Sequence, residues 1–125
     1  MKTIISAAGA PAAIGPYSHA VAAGNFLYTS GQIALDPATG KLAGDTIEVQ
    51  TEQVLNNLEA VLAANDMSFD NVIKTTVFLT DLSDFSVVNG IYATRFSQNP
   101  PARSCVQVAG LPAGSKIEIE LIACK

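Results

Sequence analysis

Apolar residues recur along this chain at two spacings, and the order in which those spacings alternate limits the fold more than any other feature. From Ile47 to Ala64, the residues Ile47, Val54, Leu55, Leu58, Val61 and Leu62 follow the spacing of one helix face. Asp45, with Glu48 three residues on, resembles a capping box, and Asn65 suits the left-handed position that ends a helix. Ser83 or Asp84 opens a second helix with Phe85, Val88, Tyr92 and Phe96 along one side, and Asn99-Pro100-Pro101 stops it. Elsewhere the pattern is that of strands: Ser18 to Ala23 and Phe26 to Ile33 around a Gly24-Asn25 turn, Val72 to Thr80, Arg103 to Ala109, and Ile117 to Ala123. Residues 7 to 16 are small and broken by Pro11, Gly15 and Pro16, which reads as an extended arm or loop. The order strand, strand, helix, strand, helix, strand, strand predicts an α+β two-layer sandwich, a mixed sheet with two helices packed on one face. The other face of the sheet is left for water or for a partner chain.

At 125 residues the chain has the length of a single domain, taken as residues 1–125, with no repeat or linker to divide it. Only 14% of its residues are charged, against about a quarter in an ordinary soluble domain. That shortfall points to further surface covered by self-association. The net charge of -4 opposes phosphate backbones, which makes nucleic acid an unlikely partner. Apolar runs are too short to span a bilayer, and Met1 to Ile5 does not read as a secretory signal, so a cytoplasmic location and no membrane partner are expected. Two cysteines, Cys105 and Cys124, make no disulfide framework, and one histidine without a Cys-x-x-Cys is too little for structural zinc. No cofactor or metal is expected.

Chemistry-bearing residues concentrate toward the C-terminus. In the last strand Ile117, Ile119 and Leu121 alternate with Glu118 and Glu120; in the strand before it Arg103, Cys105 and Gln107 alternate with Ser104, Val106 and Val108. If the apolar faces meet the helices, Arg103, Cys105, Gln107, Glu118 and Glu120 emerge together on the opposite side. Arg103 follows a stiff Pro100-Pro101 and has the planar fork that grips a carboxylate, although an ordinary cross-strand pair with Glu118 or Glu120 would look the same. Ser30-Gly31 lies inside a strand, where glycine marks either a bulge or the close approach of a ligand, and Tyr17 follows Gly15-Pro16. Asn89 sits on the second helix, where it either reaches across an interface or is merely hydrated. His19 has no nucleophile paired with it and reads as a surface or interface residue; Cys105, without a paired histidine, reads as a half-buried filler.

Several segments together resemble the RidA/YjgF family of enamine/imine deaminases. They are Ala12 to Ser18, Tyr28 to Ile33, Val72 to Leu79, Pro101 to Val106, Val108 to Pro112 and Lys116 to Glu120, which fall in the family's order along essentially the whole chain. The resemblance implies a chorismate-mutase-like fold assembled as a homotrimer with clefts between subunits. It also implies hydrolysis of 2-imino acids such as 2-iminobutanoate to 2-oxo acids and ammonia, without a cofactor. Carried over by motif, Arg103 would hold the substrate carboxylate with the backbone N–H of Cys105, and Glu118 would position water. Gly31 would offer its carbonyl to the imine nitrogen, Ser30 and Tyr17 would line the cleft, and Asn89 would stand near it. His19 occupies a place where many relatives carry glutamine, which implies an altered cleft rim or pH response. Two other readings stand beside this one: an endoribonuclease or translation inhibitor, and a trimer that binds small carboxylates without turnover.

Overall fold

The computed structural model describes all residues from Met1 to Lys125. Its elements run β1 (Lys2–Ile5), β2 (Ala20–Ala23), β3 (Phe26–Thr29), β4 (Gln32–Ile33), α1 (Ile47–Ala63), β5 (Val72–Leu79), α2 (Phe85–Tyr92), β6 (Ala102–Gln107) and β7 (Ile117–Cys124). The strands form one mixed sheet in the order β1-β2-β3-β7-β5-β6, and the two-residue β4 also pairs with β7. Every pairing is antiparallel except β5 with β6, where α2 supplies the crossover that parallel neighbours require. The fold is α+β, with α1 and α2 packed on the sheet.

All six apolar residues that set the helical spacing from Ile47 to Leu62 are buried. The caps differ from expectation by one residue at each end. Thr46, not Asp45, accepts the Val49 N–H on Oγ1 at 3.2 Å, and Asp66, not Asn65, takes the left-handed turn at φ 56°. Helix α2 ends at Tyr92, short of the prolines, yet Phe96 still reaches the core and packs 4.5 Å from the Tyr92 ring. β1 was not expected. It is too short to show a period, and it forms because Lys2 to Ile5 find the free edge of β2, placing Ile5 inside and Ile4 outside.

The sheet order changes the reading of the C-terminal strands. β6 and β7 are not a hairpin; β5 lies between them and pairs with both. Thr75 stands opposite Arg103 on one side and Leu121 on the other, and Val77 joins Cys105 to Ile119 in the same way. Partners across a ladder share a face, so Arg103 and Cys105 lie on the helix side with Leu121 and Ile119. Glu118 and Glu120 occupy the open side with Val106, Ser104, Phe78 and Thr76. The expectation that Arg103, Cys105, Gln107, Glu118 and Glu120 share a face is therefore wrong. Alternation fixes which residues of one strand agree with each other, not which way the next strand is turned.

Three polar residues of α1 are buried among the apolar ones, and Thr51 is satisfied within the helix, its Oγ1 donating to Ile47 O at 2.7 Å. Asn57 donates to the carbonyls of Ile33 and Leu35 at 3.2 and 3.0 Å. Gln50 donates to Gly44 O at 2.8 Å and accepts the Lys116 N–H at 2.7 Å. The helix thus fixes the two loops that border the open end of the sheet. No helix is long and apolar enough to cross a membrane.

Candidate active site

The residues singled out in the sequence separate into two groups. Tyr17, Ser30, Gly31 and Glu118 line one cavity of about 290 Å³, whose apolar wall includes Ile14, Ile33, Leu35 and Pro112. β4 lies antiparallel to β7 with Ile33 opposite Glu118, so the strand end sits directly against the glutamate. A Cβ on Gly31 would meet the Glu118 carboxyl carbon at 2.7 Å, so any other residue there must push the Glu118 side chain aside. Ser30 is fixed by two bonds, its N–H to His19 O at 2.9 Å and its Oγ to Ser18 O at 2.6 Å. Tyr17 remains about half exposed at the cavity mouth.

Glu118 is half-buried, and burial, reinforced by the nearby charge of Glu120, pushes its carboxyl above the ordinary glutamate value. The chain's one ion pair joins Arg95 to Glu52. Neither Glu118 nor Arg103 therefore has an opposite charge beside it.

Arg103 occupies the other side of the sheet, where it forms the second group with Asn89 and Cys105. Its guanidinium donates to Asn89 Oδ1 at 2.7 Å and stacks over Tyr92 at 4.8 Å and Phe85 at 5.3 Å from the ring centres. Such stacking holds a guanidinium without consuming its donors. Tyr92 is itself locked by a 2.7 Å bond between its hydroxyl and Thr75 Oγ1, and burial pushes the phenol above its usual range. The sequence shows Phe85 and Tyr92 only as core-facing helix residues; the signal that they cradle Arg103 is the sheet order, which periodicity does not carry. Cys105 is partly buried behind Arg103. Burial raises its thiol above the usual range against the opposing pull of Arg103, which keeps it protonated and a poor nucleophile.

His19 is not on the surface or the cleft rim. It is 7% exposed, and both ring nitrogens bond backbone: Nδ1 accepts the Ala7 N–H at 2.9 Å, and Nε2 lies 2.7 Å from Pro11 O. Backbone partners have no sequence signature, so burial of this ring was not legible.

A family model described as endoribonuclease L-PSP matches residues 7–125. The chain is 50% identical over 122 residues to the chloroplastic Reactive Intermediate Deaminase A of Arabidopsis thaliana, covering 98% of this chain and 65% of that longer protein. It is 49% identical over 123 residues to the 2-iminobutanoate/2-iminopropanoate deaminase of Mus musculus, covering 98% of this chain and 91% of the other. Among solved structures it resembles E. coli TdcF with bound serine, at a TM-score of 0.94 and 44% identity, covering 98% of both chains.

Proposed function

Because the chain belongs to the endoribonuclease L-PSP family, also known as YjgF/RidA, we propose that it hydrolyses 2-imino acids such as 2-iminobutanoate to 2-oxo acids and ammonia. The observation that carries the reading is a pair of unspent charges. Arg103 keeps free donors on a guanidinium already oriented by Asn89, Tyr92 and Phe85, and Glu118 faces a cavity with no cation beside it. A substrate with a carboxylate at one end and an iminium carbon next to it uses both.

In this reading Arg103 grips the carboxylate bidentately, with the Cys105 N–H as a further donor. Gly31 accepts an N–H of the iminium on its carbonyl, and Tyr17 and Ser30 line the approach. Glu118, its basicity raised by burial, orients water and takes its proton as the oxygen bonds to the imine carbon. The tetrahedral intermediate collapses as nitrogen takes that proton and leaves as ammonia, while the hydroxyl proton passes back to Glu118 and the carbon–oxygen double bond forms. The iminium carbon is already electrophilic, so positioning and electrostatics supply most of the acceleration. No cofactor enters the scheme. The bound serine of TdcF, an amino acid with the same carboxylate, supports this substrate class.

Arg103 and Glu118 lie on opposite faces of one chain, so the complete site is composed from two copies, in a homotrimer that sets the Arg103 group of one subunit against the Glu118 cavity of the next. Support comes from the open sheet face, where Ile4, Phe26, Tyr28 and Val106 are each more than 40% exposed, and from β6 being an edge strand. A cytoplasmic site of action and a single domain over residues 1–125 belong to the same proposal.

The test generates 2-iminobutanoate with threonine dehydratase, traps surviving imine with semicarbazide, and adds the protein. Less trapped imine and faster 2-oxobutanoate release, both lost in Arg103→Ala, support the deaminase. Turnover retained in Arg103→Ala would overturn the clamp. A trimer that binds 2-oxobutanoate but leaves imine decay unchanged would be a binding module instead. The family model's description keeps endoribonuclease as the second reading, and RNA cleavage that disappears in Arg103→Ala would favour it.

A further inference from the structure

The arm from Ala7 to Tyr17 forms one whole side of the Glu118 cavity, through Pro11, Ala12, Ile14 and Tyr17, yet contains no strand or helix to hold it. Ala7 and Ala10 pack into the core, and the hydrogen bonds that tie the arm to the rest of the chain come from one side chain. His19 spans the arm's first turn, accepting from Ala7 on Nδ1 and meeting Pro11 O with Nε2, while Ala10 N–H closes the turn on Ala7 O at 3.2 Å. Because Ala7 can only donate and Pro11 can only accept, the geometry selects the neutral imidazole with its proton on Nε2. The same residue's carbonyl receives the Ser30 N–H, so one position ties the arm to the strand end that carries Ser30 and Gly31.

We propose that neutral His19 is a positioning residue that clasps the arm against the cleft, and that its protonation releases the arm. A proton on Nδ1 would set two N–H groups against each other and cost the bond to Ala7, which is 4% exposed. Few charges face the ring. Tyr17 and His19 border a second cavity of about 390 Å³, which residues 4–8, 10, 12–13 and 18 otherwise line. Lys2 lies at the distant end of β1 opposite Ala23, and Glu59 is exposed beside Ala60, on which Gly9 rests. Glu118 and Tyr17 line the other cavity together.

The clasp rests on the geometry of the cleft and not on its substrate, so amide hydrogen exchange tests it without any activity. Exchange in the assembled protein is compared at about pH 7.5 and about pH 5.5, corrected for intrinsic rates, in wild type and in His19→Gln. Glutamine offers one acceptor and one donor but does not titrate. In wild type, segment 5–12 should lose about tenfold protection on acidification while β5 stays protected; in His19→Gln that loss should disappear. His19→Phe, which fills the volume without bonds, should leave the segment unprotected at both pH values. Protection of residues 5–12 that is independent of pH in wild type, or equally pH-sensitive in His19→Gln, overturns the proposal. If His19→Phe does not fold, the wild-type and glutamine comparison decides alone.

Discussion

The two charged groups of the candidate site are built on opposite principles. Glu118 stands in a concavity made by backbone: an arm, a strand end and a glycine that admits the carboxylate where any side chain would collide with it. Arg103 stands on an edge strand, partly exposed, and is placed by side chains, two aromatic rings and an amide. The carboxylate's surroundings are hostile enough to raise its proton affinity, whereas the guanidinium's are hospitable and leave its donors free. Because the two half-sites lie on opposite faces, one chain does not bring its own two charges together, and the proposed chemistry calls for a second copy.

That contrast can be broken most severely by removing either charge. Arg103→Ala and Glu118→Gln should each lower kcat/KM by a factor on the order of a hundred or more in the semicarbazide assay. Each inactive variant retains what the other lacks. Subunits unfolded and reassembled as an equal mixture should therefore recover about a quarter of wild-type turnover if each site draws on two copies. No recovery from well-formed mixed trimers would place both residues' work in one subunit.

Gly31→Ala probes the backbone-built half alone. Its new methyl meets the flexible end of Glu118 and not main chain, so the fold should survive with Tm nearly unchanged while kcat/KM falls by about ten- to a hundredfold. Thermal melting and turnover measured on the same sample separate the two effects. A matched fall in both would mean that the glycine serves folding instead.

The side-chain-built half should yield more gradually. Tyr92→Leu removes a ring beneath Arg103, and KM should rise about three- to tenfold with kcat little changed, the range expected for a lost cation–π contact. Tyr92→Phe keeps the ring and loses only the hydroxyl bond to Thr75, at about 1 kcal/mol of stability. Equal KM values in the two variants would show that stacking does not position Arg103.

The smallest effect concerns pH. The folded state raises Glu118's proton affinity, so it binds that proton more tightly than the unfolded chain does. Stability therefore falls as pH rises from the ordinary glutamate range through the raised one, and the cost is complete above it. Glu118→Gln should melt higher than wild type near neutrality, with the gain shrinking as pH falls through the carboxylate range. A gain that is constant with pH would assign the cost to packing instead of charge.

What the sequence disclosed and what it withheld divide along the same physical line. Local rules were legible: the helix face from Ile47 to Leu62, the Gly24-Asn25 hairpin, and the alternation of β5 and β7. The motifs also pointed to Tyr17, Ser30, Gly31 and Glu118, which do line one cavity. Relations between distant segments were not legible. The insertion of β5 between β6 and β7 turned Arg103 toward the helices, where its long stem and flat head can lie on Tyr92 and Phe85, while Val106 faces outward on an edge strand. His19 escaped for the complementary reason: a polar ring satisfied wholly by backbone looks, in sequence, like one satisfied by water.

The amides of Asn57 and Gln50 have a bearing on protein engineering. By helix pattern alone both sit on α1's inward face, where a thermostabilisation campaign would install leucine. Such a swap would improve the binary pattern and free three or more carbonyls and N–H groups at Ile33, Leu35 and Lys116, next to the Glu118 cavity. A redesigned chain could then melt higher and still lose its function. Selection by heat alone would favour that outcome, so any library at these two positions should be screened for turnover first.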